Sequence, residues 1–141
     1  MCGFLTYFGD NIEEKDLENA SLKIQYRGPD NTQHVRVNEN LFMSFHRLAI
    51  IDTSENGDQP LRHPEDPSLV LVCNGEIYNY KQLIEDYNLN VGSGSDCEVI
   101  LHLYKKFGMK KTVSMLDGVF AFCLYDTNKN ILYAARDPHG V

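Results

Sequence analysis

The stretch Val119-Phe120-Ala121-Phe122-Cys123-Leu124-Tyr125, then Asp126-Thr127-Asn128-Lys129-Asn130, then Ile131-Leu132-Tyr133-Ala134-Ala135 decides what kind of sheet this chain builds. Two apolar runs flank a polar segment with the turn chemistry of a β-hairpin, so the runs pair antiparallel. Working back from this hairpin, Met109 to Leu116 is predicted helical. Before it, Val99, Ile100, Leu103 and Phe107 recur at helical spacing behind a Ser95/Glu98 capping box, and Gly108 ends the helix. Gly92-Ser93-Gly94 separates that helix from a shorter one over Tyr80 to Tyr87.

Leu69 to Cys73 is an apolar strand predicted to end at Asn74-Gly75, and a loop marked by Asn56-Gly57-Asp58, Pro64 and Pro67 precedes it. Leu41 to Asp52 is a strand that alternates at Leu41, Met43 and Phe45 and then turns apolar on both faces over Leu48-Ala49-Ile50-Ile51. Gly3 to Phe8 reads as the first strand. Asn11 and Glu14 resemble a capping box for a helix carried by Leu17, Ser21 and Ile24, which must stop before Arg27-Gly28-Pro29-Asp30; the proline forces Gly28 into an extended conformation. Strands at both ends, helices between and no βαβ alternation give an α+β layered sandwich rather than a doubly wound sheet.

The 141 residues fit one domain, long enough to bury about two-thirds of the surface of the unfolded chain. Thirteen basic against twenty acidic residues, a net charge of −7, oppose a phosphate-binding footprint, so no nucleic-acid partner is expected. The N-terminus lacks the charge and apolar run of a signal peptide, and the longest apolar run, Val119 to Tyr125, is too short to span a bilayer. No membrane partner is expected. Cys2, Cys73, Cys97 and Cys123 have no C-x-x-C spacing, and His34, His46, His63, His102 and His139 have no metal-ligand spacing. A reducing compartment, the cytoplasm, is expected, with no metal.

Four places carry candidate chemistry. Cys2 becomes an N-terminal thiol once Met1 is trimmed, and an α-amino group titrating near pH 8 can act as its base, a complete nucleophile–base pair without histidine. Met-Cys is also an ordinary way to begin a chain. Asn74-Gly75-Glu76, at the end of a buried strand, can offer a side-chain amide and a backbone N–H as oxyanion donors, each worth about 3 kcal/mol of barrier, or can simply be a turn. Arg47, inside an apolar strand, either grips a carboxylate bidentately, or is an outward-facing strand arginine or one held in a structural ion pair. Asp96 either favours a helix dipole or holds an α-ammonium. Neither a P-loop nor G-x-G-x-x-G is present, so no nucleotide site is expected in this chain.

Taken together, Met1-Cys2-Gly3, Arg27-Gly28-Pro29-Asp30, Phe45-His46-Arg47-Leu48-Ala49-Ile50-Ile51-Asp52, Asn74-Gly75-Glu76-Ile77-Tyr78-Asn79, Ser95-Asp96-Cys97-Glu98 and Leu116-Asp117-Gly118-Val119-Phe120-Ala121 resemble a class II glutamine amidotransferase domain. They are most similar to the N-terminal glutaminase domain of glutamine-hydrolysing asparagine synthetases. The resemblance implies a four-layer αββα N-terminal-nucleophile (Ntn) hydrolase sandwich. It implies Cys2 as nucleophile, Asn74 and Gly75 as oxyanion donors, and Arg47, Leu48, Ala49, Ile50, Ile51, Glu76 and Asp96 as the glutamine-binding set. Glutamine is the implied partner, with no cofactor in this chain. ATP and Mg2+ are expected only for a synthetase domain that is expected to be missing from residues 1–141, with either a separate synthetase domain or chain as partner or a truncated product as the explanation. Tyr26 stands where relatives often carry histidine. Members of the family continue beyond the equivalent of Val141, so residues 1–141 are expected to be a domain incomplete at its C-terminus, lacking its last strands and leaving a bare sheet edge; a catalytically inactive or regulatory module is the alternative.

Overall fold

The computed structural model describes residues 2–49 and 57–141. Its first sheet joins β1 (Gly3–Phe8), β2 (Asn31–Asn38) and β3 (Leu41–Arg47) in the order β1-β3-β2, all antiparallel. Helix α1 (Glu14–Leu22) packs on this sheet. The second sheet runs β4-β5-β6-β7, from β4 (Leu61–His63), β5 (Asp66–Ile77), β6 (Gly118–Asp126) and β7 (Ile131–Arg136), again antiparallel throughout. Between β5 and β6 the chain forms α2 (Tyr80–Tyr87), α3 (Val99–Phe107) and α4 (Met109–Met115).

Side-chain alternation along β3 and β5 makes the layers. Leu41, Met43 and Phe45 of β3 meet Val70 and Val72 of β5 and Tyr125 of β6, which makes the core between the sheets. The other face of β3 carries Phe42, Ser44 and His46, and its polar groups meet α1: Ser21 Oγ lies 2.6 Å from Ser44 Oγ and 2.8 Å from His46 Nε2. The other face of β5 (Leu69, Leu71, Cys73) packs with Leu83 of α2 and Ile100, Leu101 and Leu103 of α3. Helix, sheet, sheet, helix is the resulting order, an α+β fold of the kind expected. At roughly 1.5–3 kcal/mol for each fully buried Leu, Phe or Met, the inter-sheet cluster clamps the two sheets together. Among the described residues no helix is long and apolar enough to cross a membrane.

Several expectations need correction. β2 lies in a stretch not read as a strand, and β4 lies in the predicted loop. β3 ends at Arg47 rather than Asp52; Leu48 and Ala49 leave the ladder, and residues 50–52 lie outside the described residues. α1 begins at Glu14 with Glu13 at its N-cap; the Asn11 side chain accepts from Asp10 N–H instead. Ser95 makes no side-chain cap, a short 3-10 turn (Asp96–Glu98) precedes α3, and Phe107 lies 38% exposed rather than in the core. β5 does not stop at Asn74-Gly75 but pairs with β6 as far as Ile77↔Gly118. It passes Gly75 at φ +148°, a conformation L side chains rarely adopt, and a Cβ there would lie 2.1 Å from the Val119 carbonyl. The Asn74-Gly75 turn is therefore ruled out. β7 is the outer strand of its sheet among the described residues.

Candidate active site

The start of β1 places Cys2 against the end of β3. The Cys2 thiol accepts from Leu48 N–H at 3.3 Å and lies 3.6 Å from Leu48 O as donor, while Arg27 Nε holds the Cys2 carbonyl at 3.0 Å. The Arg27–Asp30 segment is thus a brace. Asp30 N–H donates to Arg47 O at 2.9 Å, and Asp30 Oδ2 takes Ala49 N–H at 2.9 Å. Gly28 has φ −148° and ψ 83°, short of the extended conformation expected, and glycine is required there because a Cβ would sit 2.0 Å from the His46 carbonyl. One backbone loop therefore positions both the thiol and the bend beyond Arg47.

Cys2 shares its cavity with the end of β5, where hydrogen-bond parity decides which backbone groups are left open. Thr127 N–H donates to Ser68 O and Tyr78 N–H to Asp117 O, so even-numbered residues of β5 bond toward β6. Odd-numbered residues bond toward β4. β4 pairs with β5 through Leu61↔Leu71, and past that point side chains take over its role. Gln59 Oε1 accepts from Cys73 N–H at 2.6 Å and Gln59 Nε2 donates to Cys73 O at 3.0 Å; Asp96 Oδ2 accepts from Ile77 N–H at 2.6 Å. Gly75 N–H falls between these two, on the open edge. Beside it Asn74 Oδ1 is buried without a hydrogen-bond partner, a state that costs roughly 1–3 kcal/mol unless a ligand relieves it. Which end of that amide is nitrogen is set by its bonding, so the same position can present a donor to an oxyanion.

Arg47 closes one side of the space. It is 8% exposed, and its Nη1 donates to Asp58 Oδ1 at 2.5 Å, while Asn31 Nδ2 donates to the other oxygen of Asp58. The guanidinium is ion-paired, and it also lines the cavity. Asp96, 5% exposed, closes another side. Burial pushes its carboxyl above the usual range and the nearby Glu76 charge adds to this, while the Ile77 N–H pulls the other way. An arriving cation would favour its charged form. Glu98 holds the loop ahead of Asp96: it accepts from Gly92 and Ser93 N–H (2.7 Å each), from Ser93 Oγ and from His102. Burial opposes its charge, but these bonds prevail and hold its carboxyl at about 2.

Cys2, Arg47, Leu48, Asn74, Gly75, Glu76 and Asp96 thus line a single cavity of about 220 Å³. Ala49 is turned to Asp30 and is not among its lining residues; Ile50 and Ile51 lie outside the described residues. Sequence reading missed Gln59, Asp58, Tyr78 and the thiols of Cys73 and Cys97, all at or beside the cavity. Only the apolar context of the two cysteines hinted at them; Asp58 and Gln59 looked like loop residues. Among the described residues no group of three His, Cys, Asp or Glu side chains is placed to hold a metal.

The family model described as glutamine amidotransferase domain matches residues 1–141. Asparagine synthetase (glutamine-hydrolyzing) of Gallus gallus is 45% identical over 143 residues, covering 100% of this chain and 25% of that protein. The Homo sapiens protein of the same name is 42% identical over 145 residues, again covering 100% and 25%. Among solved structures, glutamine phosphoribosylpyrophosphate amidotransferase from B. subtilis, complexed with ADP and GMP, superposes with a TM-score of 0.59 at 28% identity, over 87% of this chain and 26% of that one. The chain spans about a quarter of the length of these relatives.

Proposed function

We infer that this chain, which belongs to the glutamine amidotransferase domain family, hydrolyses the side-chain amide of glutamine to glutamate and ammonia, as the amidotransferase part of asparagine synthesis from aspartate. The observation that carries this reading is the convergence of Cys2, the open β5 edge at Gly75, Arg47 and Asp96 on one cavity.

In the proposed reaction Arg47 takes the substrate α-carboxylate and Asp96 its α-ammonium, with Glu76 adding negative charge nearby. This pair orients an L-amino acid with its side chain running toward Cys2. The Cys2 thiol attacks the amide carbon, its proton passing to the α-amine of the same residue once Met1 has been removed. Asn74 and Gly75 N–H hold the oxyanion. The amine returns the proton to the leaving nitrogen, the C–N bond breaks and ammonia departs, leaving a γ-glutamyl thioester. Water then attacks the thioester, and glutamate leaves as the thiol is restored. Ammonia would pass to a synthetase domain or chain acting on aspartate.

The test is ammonia release from glutamine by purified protein, together with mass spectrometry of the intact chain. Wild type is expected to lack Met1 and to turn over, and Cys2→Ala to retain its fold with no turnover. Hydrolysis surviving Cys2→Ala would sink the mechanism.

A further inference from the structure

We propose that Gln59 is a positioning residue for the oxyanion donor: its side-chain amide replaces the missing backbone of a neighbouring strand at Cys73 and so leaves Gly75 N–H as the first unpaired donor on that edge. The proposal rests on the glutaminase reading of the cavity.

The register makes the replacement specific. Leu61 faces Leu71, so continuing β4 backwards by two residues brings position 59 opposite Cys73. Had the β4 ladder simply continued, the backbone of residue 59 would take the N–H and C=O of Cys73, and residue 57 would next approach Gly75 and cover its N–H. Instead the chain turns away at Gln59 and a side chain makes both bonds, at 2.6 and 3.0 Å. A carboxamide is the side-chain group that offers one donor and one acceptor in this spacing. Gln59 is 6% exposed, so water cannot readily substitute. At the other end Asp96 takes Ile77 N–H. With Cys73 and Ile77 each held, the peptide between them keeps its N–H on that open edge, in the cavity that Cys2 also lines. The preceding residue, Asp58, binds Arg47, so one short segment fixes both the carboxylate grip and the oxyanion donor.

Gln59→Met keeps the side-chain length and removes both bonds. Active sites are counted by titrating Cys2 with iodoacetamide, whose displacement reaction needs no oxyanion donor, and kcat is expressed per titrated site. The expected result is a fall in kcat per site of about 10- to 100-fold, KM within about threefold and alkylation within about twofold of wild type. A merely structural role would lower the number of titratable sites and leave kcat per site unchanged; that result overturns the proposal. Should Gln59→Met fail to fold, amide hydrogen exchange on the wild type decides. Cys73 and Ile77 N–H are expected to be protected and Gly75 N–H to exchange on the order of 100-fold faster, while equal protection of all three overturns it. A wild type without glutaminase activity would refute the reading of the cavity, whereas the exchange pattern tests Gln59 in either case.

Discussion

The β5–β6 ribbon carries a polar cluster at each end, and the two are built to opposite plans. At the end where Leu69 faces Asp126, every group is matched. The Asp126 carboxylate accepts from Tyr104 Oη at 2.8 Å, Lys129 N–H at 3.0 Å and Lys129 Nζ at 3.0 Å; Tyr125 Oη bonds Asn38 and Asn130. Burial works against the charge on Asp126, but the bonds from Lys129 and Tyr104 prevail and hold its carboxyl below the usual range. Tyr104, desolvated and beside that charge, is pushed up to about 12. At the other end Asn74 Oδ1 has no partner, Gly75 N–H faces open space by parity, and Asp96 sits above the usual range. The same strand pair is saturated where it closes a hairpin and left unsaturated where it borders the cavity. Buried polar groups without partners subtract from stability.

Substitutions that break one end should leave the other intact. The largest effect is expected for Asn74→Ala: a fall in kcat of about 10²–10³, near 3–4 kcal/mol of barrier. Its thermal midpoint should stay within a few degrees of wild type, because the carboxamide oxygen has no partner to lose. A large loss of stability would show that the site is as saturated as the hairpin. Asp126→Ala should do the reverse, costing about 2 kcal/mol in urea unfolding by leaving the Tyr104 O–H without its acceptor while its oxygen keeps the Lys129 Nζ bond, with kcat unchanged.

The two ends should also differ in sign with pH. Asp126 is depressed in the folded state, so its contribution is present above the unfolded carboxylate range and is lost as pH falls through its folded value. Asp96 is raised, so folding is less favourable once pH rises through its folded value, and the charge is regained when a cation binds. Glutamine affinity, read by calorimetry, is then expected to be full above the Asp96 value and to fall as pH drops through it, approaching about tenfold per unit. Asp96→Asn should lose this dependence and bind weakly, with a thermal midpoint at neutral pH no lower than wild type. The smallest effect is expected for Glu76→Gln. Removing a neighbouring negative charge moves the Asp96 midpoint down in the same titration, and an unmoved midpoint would show that Glu76 does not act on Asp96.

Much of this was legible in the residues. Apolar runs gave β1, β3, the first part of β5 and the final hairpin, the helical stripe gave α3, and α2 and α4 were also read as helices. β2 was not legible because Asn-Thr-Gln-His-Val-Arg-Val-Asn offers only Val35 and Val37 to its apolar face; it is an edge strand, half-buried along its whole length. The passage of β5 through Asn74-Gly75 was hidden because the pair reads as a turn, and only the β6 ladder and the positive φ at Gly75 carry the strand on. Ser95/Glu98 has the spacing of a capping box, yet Glu98 turns back to the Gly92 and Ser93 amides, which a local pattern does not reveal. Of the site, Cys2, Arg47, Asn74, Gly75, Glu76 and Asp96 were legible because each is chemically conspicuous for its context. Gln59 and Asp58 were not, since their partners lie 14 and 11 residues away.

The four cysteines set what a thiol reagent will count. Cys2 is half-buried at the start of β1, whereas Cys73 and Cys97 are 2% and 3% exposed in the cavity wall. The Cys97 thiol is pushed well up by its hydrogen bond to Cys73 and by burial, and burial also raises Cys123. Reaction follows the thiolate, so a limiting alkylator should label native protein with a stoichiometry of about one and reach the rest only on unfolding. The ratio of those two plateaus reports the fraction of a preparation that is folded, without any assay of turnover.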